Sequence, residues 1–121
     1  MPPTPRILVV EDEFLIALEM VEALRAAGYQ VLGPAPSVDT ALELLKVERP
    51  DAAILDVNLA GECVTPVAEA LRIMVVPFIL ASGYVAADLE AEPVLRGAVN
   101  IGKSWRVELL LEELRGALQS A

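Results

Sequence analysis

The chain has 121 residues, of which 55% are hydrophobic and 4% aromatic, and a net charge of −9. This length suits one domain with an aliphatic core, and the apolar content excludes intrinsic disorder. The acidic balance argues against nucleic acid, whose phosphates require a basic face, and leaves a solvated acidic surface or basic protein partners.

Residues 1–5 read as an N-terminal extension with no apolar segment of signal-peptide length, and the domain is expected over 6–121. No run approaches membrane-spanning length, so a cytoplasmic protein without a membrane partner is expected. Ile7-Leu8-Val9-Val10 reads as a buried strand ending in Glu11-Asp12-Glu13. Phe14, Ala17, Leu18, Val21 and Leu24 then recur at the offsets of one helix face, with Glu19, Glu22 and Arg25 opposite and Gly28 at the end. Tyr29 to Leu32 reads as the second strand, closed by Gly33-Pro34. Ser37 is a good N-cap for a helix with the stripe Val38, Ala41, Leu42 and Leu45.

Pro50 punctuates before a third strand, Asp51 to Leu55, which delivers Asp56. Asn58 to Glu62 is a turn with Gly61 as its permissive residue. The lone cysteine, Cys63, excludes an internal disulfide and suits a reducing compartment. With no histidine in the chain to activate it, it reads as a small apolar residue at a loop–helix junction. Thr65-Pro66 pairs an N-cap with proline at the first helical position, ahead of Val67, Ala70 and Leu71. The fourth strand, Phe78 to Ala81, ends in Ser82-Gly83. Tyr84 to Leu95 is a weak fourth helix that Pro93 interrupts. A fifth strand near Ala98 to Ile101 precedes Lys103. Val107, Leu110, Leu111, Leu114 and Leu118 mark the last helix, where Trp105 is expected to keep an exposed face for partner contact.

Alternating strands and helices imply a parallel sheet covered on both faces. Such sheets bind ligands at the carboxyl ends of their strands, and Glu11-Asp12, Asp56, Ser82 and Lys103 each follow a strand-like run. Taken singly, the first acids suit a helix start, Asp56 and Ser82-Gly83 suit turns, and Lys103 suits a surface. Together, three acids, a hydroxyl and an amine suit a divalent metal and a phosphoryl group.

Four pieces carry a resemblance: Ile7 to Glu13, Ile54-Leu55-Asp56-Val57-Asn58-Leu59, Ala81-Ser82-Gly83 and Gly102-Lys103-Ser104. In this order they resemble the receiver (response-regulator) domain of bacterial two-component signalling, from Arg6 to about Leu118. The resemblance implies an α/β fold, a five-stranded doubly wound parallel sheet of flavodoxin-like order 2-1-3-4-5. It implies that Asp56 accepts a phosphoryl group from a sensor histidine kinase or a histidine phosphotransfer protein. Mg2+ would be held by Glu11, Asp12, Asp56 and the backbone carbonyl of Asn58, while Ser82 and Lys103 would bind the phosphoryl oxygens. Asp56 needs no general base, being ionised at neutral pH. Three clustered carboxylates oppose an incoming dianion, a repulsion that a hard cation and the lysine relieve. Such a protein catalyses its own phosphotransfer and autodephosphorylation but is not an enzyme for a separate metabolite.

The sequence also departs from the family pattern. Ser104 replaces the proline that usually follows the lysine, and Asn100 replaces the usual inward-swinging aromatic three residues before it. The stretch from Gly97 to Lys103 is about one residue short. Pro77 to Tyr84 resembles a subclass of stand-alone alphaproteobacterial receivers with a Pro-Phe…Ala-Thr-Gly signature, Ser82 standing for the threonine. Tyr84 is expected to take over part of the aromatic reporter's work. With no output domain after Ala121, the effect is expected to pass to a downstream protein, to a second copy of the chain, or to a phosphate sink, through the last strand, the last helix and the weak fourth helix. Two other classes stay open. A degenerate receiver would act purely as an interaction module. A magnesium phosphohydrolase would use an aspartyl-phosphate, although Asn58 stands where that chemistry wants a second acid.

Overall fold

The computed structural model describes residues 4–83 and 92–120. Strand β1 (Arg6–Val10) is buried from Ile7 onward, because helices cover both faces of its sheet. Helix α1 (Phe14–Ala26) follows and buries Ala17, Met20, Val21 and Leu24. Here the expected stripe needs correcting: Phe14 is 76% exposed and Leu18 is exposed too. Residues 18 and 20 flank the stripe on opposite sides, and the helix rolls so that Met20 packs inward. Phe14 lies in the first turn, where the helix begins.

Gly33-Pro34 does not close β2 (Gln30–Ala35), which runs through it. The register steps from Leu8↔Leu32 to Val10↔Ala35, so one extra residue is taken up as a bulge. Gly33 has φ +100°, and a Cβ there would lie 2.8 Å from the Ala35 amide nitrogen and 3.1 Å from the Val9 carbonyl oxygen. Only glycine fits such a position, and the proline beside it is tolerated because β2 is a sheet edge.

Helix α2 (Val38–Val47) is capped as its sequence indicates, the Thr40 amide donating to Ser37 Oγ at 3.2 Å. After β3 (Ala52–Leu55) the predicted turn is a small hairpin of β4 (Asn58–Leu59) and β5 (Glu62–Cys63). Helix α3 (Thr65–Ile73) has Val64 rather than Thr65 at its N-cap. The Thr65 hydroxyl is engaged elsewhere: it donates to Glu92 Oε2 at 3.2 Å and lies 3.0 Å from Cys63 Sγ. Cys63 is exposed. Strand β6 (Phe78–Leu80) precedes a 3-10 turn at Pro93–Leu95, and the last helix is α4 (Val107–Ser120). Leu110 and Leu114 are buried in it, whereas Val107 is exposed. The expected fourth helix, with Tyr84, lies largely outside the described residues.

The sheet is parallel with order β2-β1-β3-β6. A fifth position exists, but as a single rung rather than a strand: the Leu80 amide donates to the Val99 carbonyl (2.8 Å) and the Ile101 amide to the Leu80 carbonyl (2.9 Å). Gly97 and Gly102, at φ +76° and +82°, turn the chain away on either side. The period-2 alternation of the strands builds two cores. Leu8, Val10, Leu55 and Leu80 pack with α2 and α3, while Ile7, Val9, Ile54 and Ile79 pack with α1 and α4. Half-buried Trp105 packs against the second core and lines a groove between α1 and α4. Among the described residues, no helix is long and apolar enough to cross a membrane.

Candidate functional site

One rung of the sheet aligns the site. Val10 pairs with Leu55, Leu55 with Leu80, and Leu80 with Asn100. The residues just past that rung are Glu11, Asp56 and Ala81, and their amides donate to the Ala35, Val10 and Leu55 carbonyls at 3.0, 2.9 and 2.9 Å. The ladder thus continues one residue beyond the strands and fixes where the acids emerge. Glu11, Asp56 and Ser82 are only 2%, 4% and 3% exposed, and Asp12 is half-buried.

Lys103 reaches into this cluster. Its Nζ donates to Glu11 Oε1 at 3.0 Å, to Glu11 Oε2 at 3.1 Å and to Asp56 Oδ2 at 2.9 Å. Glu13 Oε1 stands 3.9 Å away, a fourth acid that the sequence pattern did not single out. Ser104 does not prevent this approach, because the positive φ of Gly102 aims the lysine and Gly33-Pro34 is the only cis peptide among the described residues. The lysine stem runs beside the Ser82 loop, with a Cβ built on Gly83 lying 3.7 Å from Lys103 Cγ.

Burial pushes the Glu11 carboxyl up from 4.5 to about 7, and the charge of Asp56 adds to this against the hydrogen bonds from the Glu13 amide and Lys103. For Lys103, burial disfavours the ammonium, but hydrogen bonds to Asp56 and Glu11 outweigh it and hold the pKa above its usual 10.5. The lysine is therefore a fixed positive charge, whereas Glu11 changes charge near neutrality.

Glu11, Asp12 and Asp56 each offer a carboxylate oxygen, and these oxygens lie within 4.8 Å of one another. Ligands of one octahedral magnesium are at most about 4.2 Å apart, so small rotations suffice to place this hard donor set around one ion. The Asn58 side chain is committed elsewhere, its Oδ1 accepting from the Gly61 amide at 2.9 Å, which leaves only the backbone carbonyl as a candidate ligand.

The sign of the Glu11 shift sets a pH dependence. An acid whose folded pKa lies above its unfolded value contributes stability that is present below about pH 4.5 and lost as pH rises through about 7. A metal ion needs the ionised carboxylate, so its affinity runs the opposite way. Melting curves are expected to show a larger stabilisation by Mg2+ at about pH 8 than at about pH 6; equal shifts at both would contradict this.

Asn100 is the residue whose role the sequence left unassigned. Its Oδ1 accepts from the Ser82 amide and the Gly102 amide, both at 3.0 Å, and its Nδ2 donates to the Ser82 carbonyl at 3.2 Å. The signal in the sequence was a polar amide three residues before Lys103, at a place where an aromatic is usual.

The response regulator receiver domain profile matches residues 7–114. The transcriptional regulatory protein PdtaR of Mycobacterium tuberculosis is 41% identical over 54 residues, covering 45% of this chain. The chain spans about a quarter (26%) of that relative's length. The solution structure of SdrG from Pseudomonas melonis Fr1, in a BeF3-activated conformation, is similar with a TM-score of 0.79 and 34% identity, covering 98% of this chain and 99% of that one. A CheY-like receiver domain protein of Methanospirillum hungatei shares the fold at 24% identity, with a TM-score of 0.86 and coverage of 98% and 96%.

Proposed function

The chain belongs to the response regulator receiver domain family, and from that premise we propose that it is a phosphoacceptor whose Asp56 takes a phosphoryl group in a magnesium-dependent reaction. The observation that carries this reading is the ammonium of Lys103 between Glu11 and Asp56, at 3.0 and 2.9 Å, beside Asp12 and one strand from Ser82.

In the proposed step an Asp56 carboxylate oxygen attacks phosphorus, a new O–P bond forms, and the N–P bond of a phosphohistidine donor breaks. The imidazole leaves with the electron pair. The donor protein is a sensor histidine kinase or a histidine phosphotransfer protein, since this chain has no histidine of its own. Lys103, held beside Asp56 by two carboxylates, would turn its ammonium from them to the incoming phosphoryl oxygens and supply positive charge there. Ser82 offers a hydroxyl at the neighbouring strand end. Glu11, Asp12, Asp56 and the Asn58 carbonyl would hold Mg2+, which supplies the positive charge that lets a dianion approach three acids. Output would pass by protein–protein contact or by competition for phosphoryl groups. No turnover of a separate metabolite is proposed, in keeping with Asn58 two residues after Asp56.

Intact mass after incubation with acetyl phosphate and Mg2+ tests this. One added phosphoryl group is expected, and none when the metal is chelated. An unchanged mass, or labelling that persists in chelator, would overturn the reading.

A further inference from the structure

A parallel ladder beginning at the Leu80–Asn100 rung would continue with the Ser82 amide donating to the Ile101 carbonyl and the Lys103 amide donating to the Ser82 carbonyl. In this chain the Ser82 backbone is instead met by the Asn100 side chain. The carboxamide presents an acceptor to the Ser82 amide and a donor to the Ser82 carbonyl, at 3.0 and 3.2 Å, so it replaces a rung. The second lone pair of the same oxygen takes the Gly102 amide at 3.0 Å. Gly102, at φ +82°, is the residue that turns the chain so that Lys103 reaches Glu11 and Asp56. One side chain therefore grips the backbones of both loops that carry the phosphoryl-binding groups.

We propose that Asn100 is a positioning residue that joins the Ser82 loop and the Lys103 loop into one unit, so that a phosphoryl group on Asp56 moves both together. The inference rests on Asp56 being the phosphoacceptor. An aromatic ring at position 100 has no means of making this clamp, because it offers neither an amide donor nor a carbonyl oxygen. When Ser82 is drawn toward phosphoryl oxygens, its backbone carries the carboxamide, and the carboxamide carries Gly102. The movement reaches the start of α4 along the backbone rather than through a swinging ring. Half-buried Trp105, two residues beyond Lys103, sits on that path.

The test uses amide NMR of the full chain with Mg2+ and beryllofluoride as the probe. In the wild type the Ser82 and Gly102 amides are expected to shift together, with one midpoint. In Asn100→Ala, Ser82 still shifts, the Gly102 shift falls several-fold, and both amides exchange with solvent at least tenfold faster. Asn100→Asp keeps the oxygen that accepts both amides but sets a carboxylate oxygen against the Ser82 carbonyl in place of the Nδ2 donor, so only partial protection and a weakened joint shift are expected. A folded Asn100→Ala protein with wild-type exchange and an undiminished Gly102 shift overturns the clamp. If Asn100→Ala does not fold, the wild type decides: protected Ser82 and Gly102 amides that shift with one midpoint support the clamp, and freely exchanging or independently shifting ones overturn it. Absence of any shift in the wild type overturns the phosphoacceptor reading instead, and with it the premise of the clamp.

Discussion

Asp56→Asn is expected to abolish phosphoryl incorporation from acetyl phosphate while leaving the fold intact. The substitution keeps the volume of a side chain only 4% exposed, so it opens no cavity. Lys103 retains both oxygens of Glu11 and is not stranded as an unpaired charge, which limits the structural damage. What is lost is the proposed nucleophile, since a carboxamide oxygen does not form a stable acyl phosphate. One of three anionic ligand atoms goes with it, so Mg2+ affinity should weaken as well. Intact mass and a magnesium titration read the two effects separately. Undiminished labelling in this variant would move the acceptor to another side chain, with Asp12 the first to examine.

Lys103→Met should separate metal binding from phosphoryl transfer. The replacement keeps an unbranched stem beside Gly83 and removes only the ammonium. A preorganised charge aimed at the transferring group is worth about 10²–10³ in rate, and the labelling rate at saturating Mg2+ is expected to fall by that much. Metal affinity should rise, because no ammonium then competes for Glu11 and Asp56. Without metal, two buried carboxylates lose their shared cation, and burial holds Glu11 still further toward its protonated form. The metal-free variant should therefore melt lower than the wild type near pH 8 and recover most of the difference when Mg2+ is added. A labelling rate equal to the wild type would reduce Lys103 to a structural counter-ion.

Much of the site was legible because its signals are local. An apolar run followed by acids marks a strand and its carboxyl end whatever surrounds it, and this located Glu11, Asp12 and Asp56. Ser37 could be read as a cap because a hydroxyl at that place satisfies an amide three residues on. Where the outcome depended on a second element, the reading slipped. Periodicity places Leu18 and Met20 on opposite edges of one stripe, and only the packing of α1 against the sheet chose Met20. Gly33-Pro34 carries every local mark of a turn, yet beside β1 it absorbs a bulge. The single rung at Asn100 departs from the expected fifth strand for a related reason: flanking glycines and a competing side-chain amide outweigh the strand propensity of Val99 and Ile101.

The sequence by itself determined the α/β class and the placement of the acids at the carboxyl ends of β1 and β3, since these follow from residue type and short-range spacing. Tertiary structure alone decided that Lys103 points into the cluster and that Asn100 holds Ser82 and Gly102. Lys103 meets Asp56 across 47 residues and Glu11 across 92. A contact over such a separation is fixed by sheet register and backbone turns, which no window of neighbouring residues encodes.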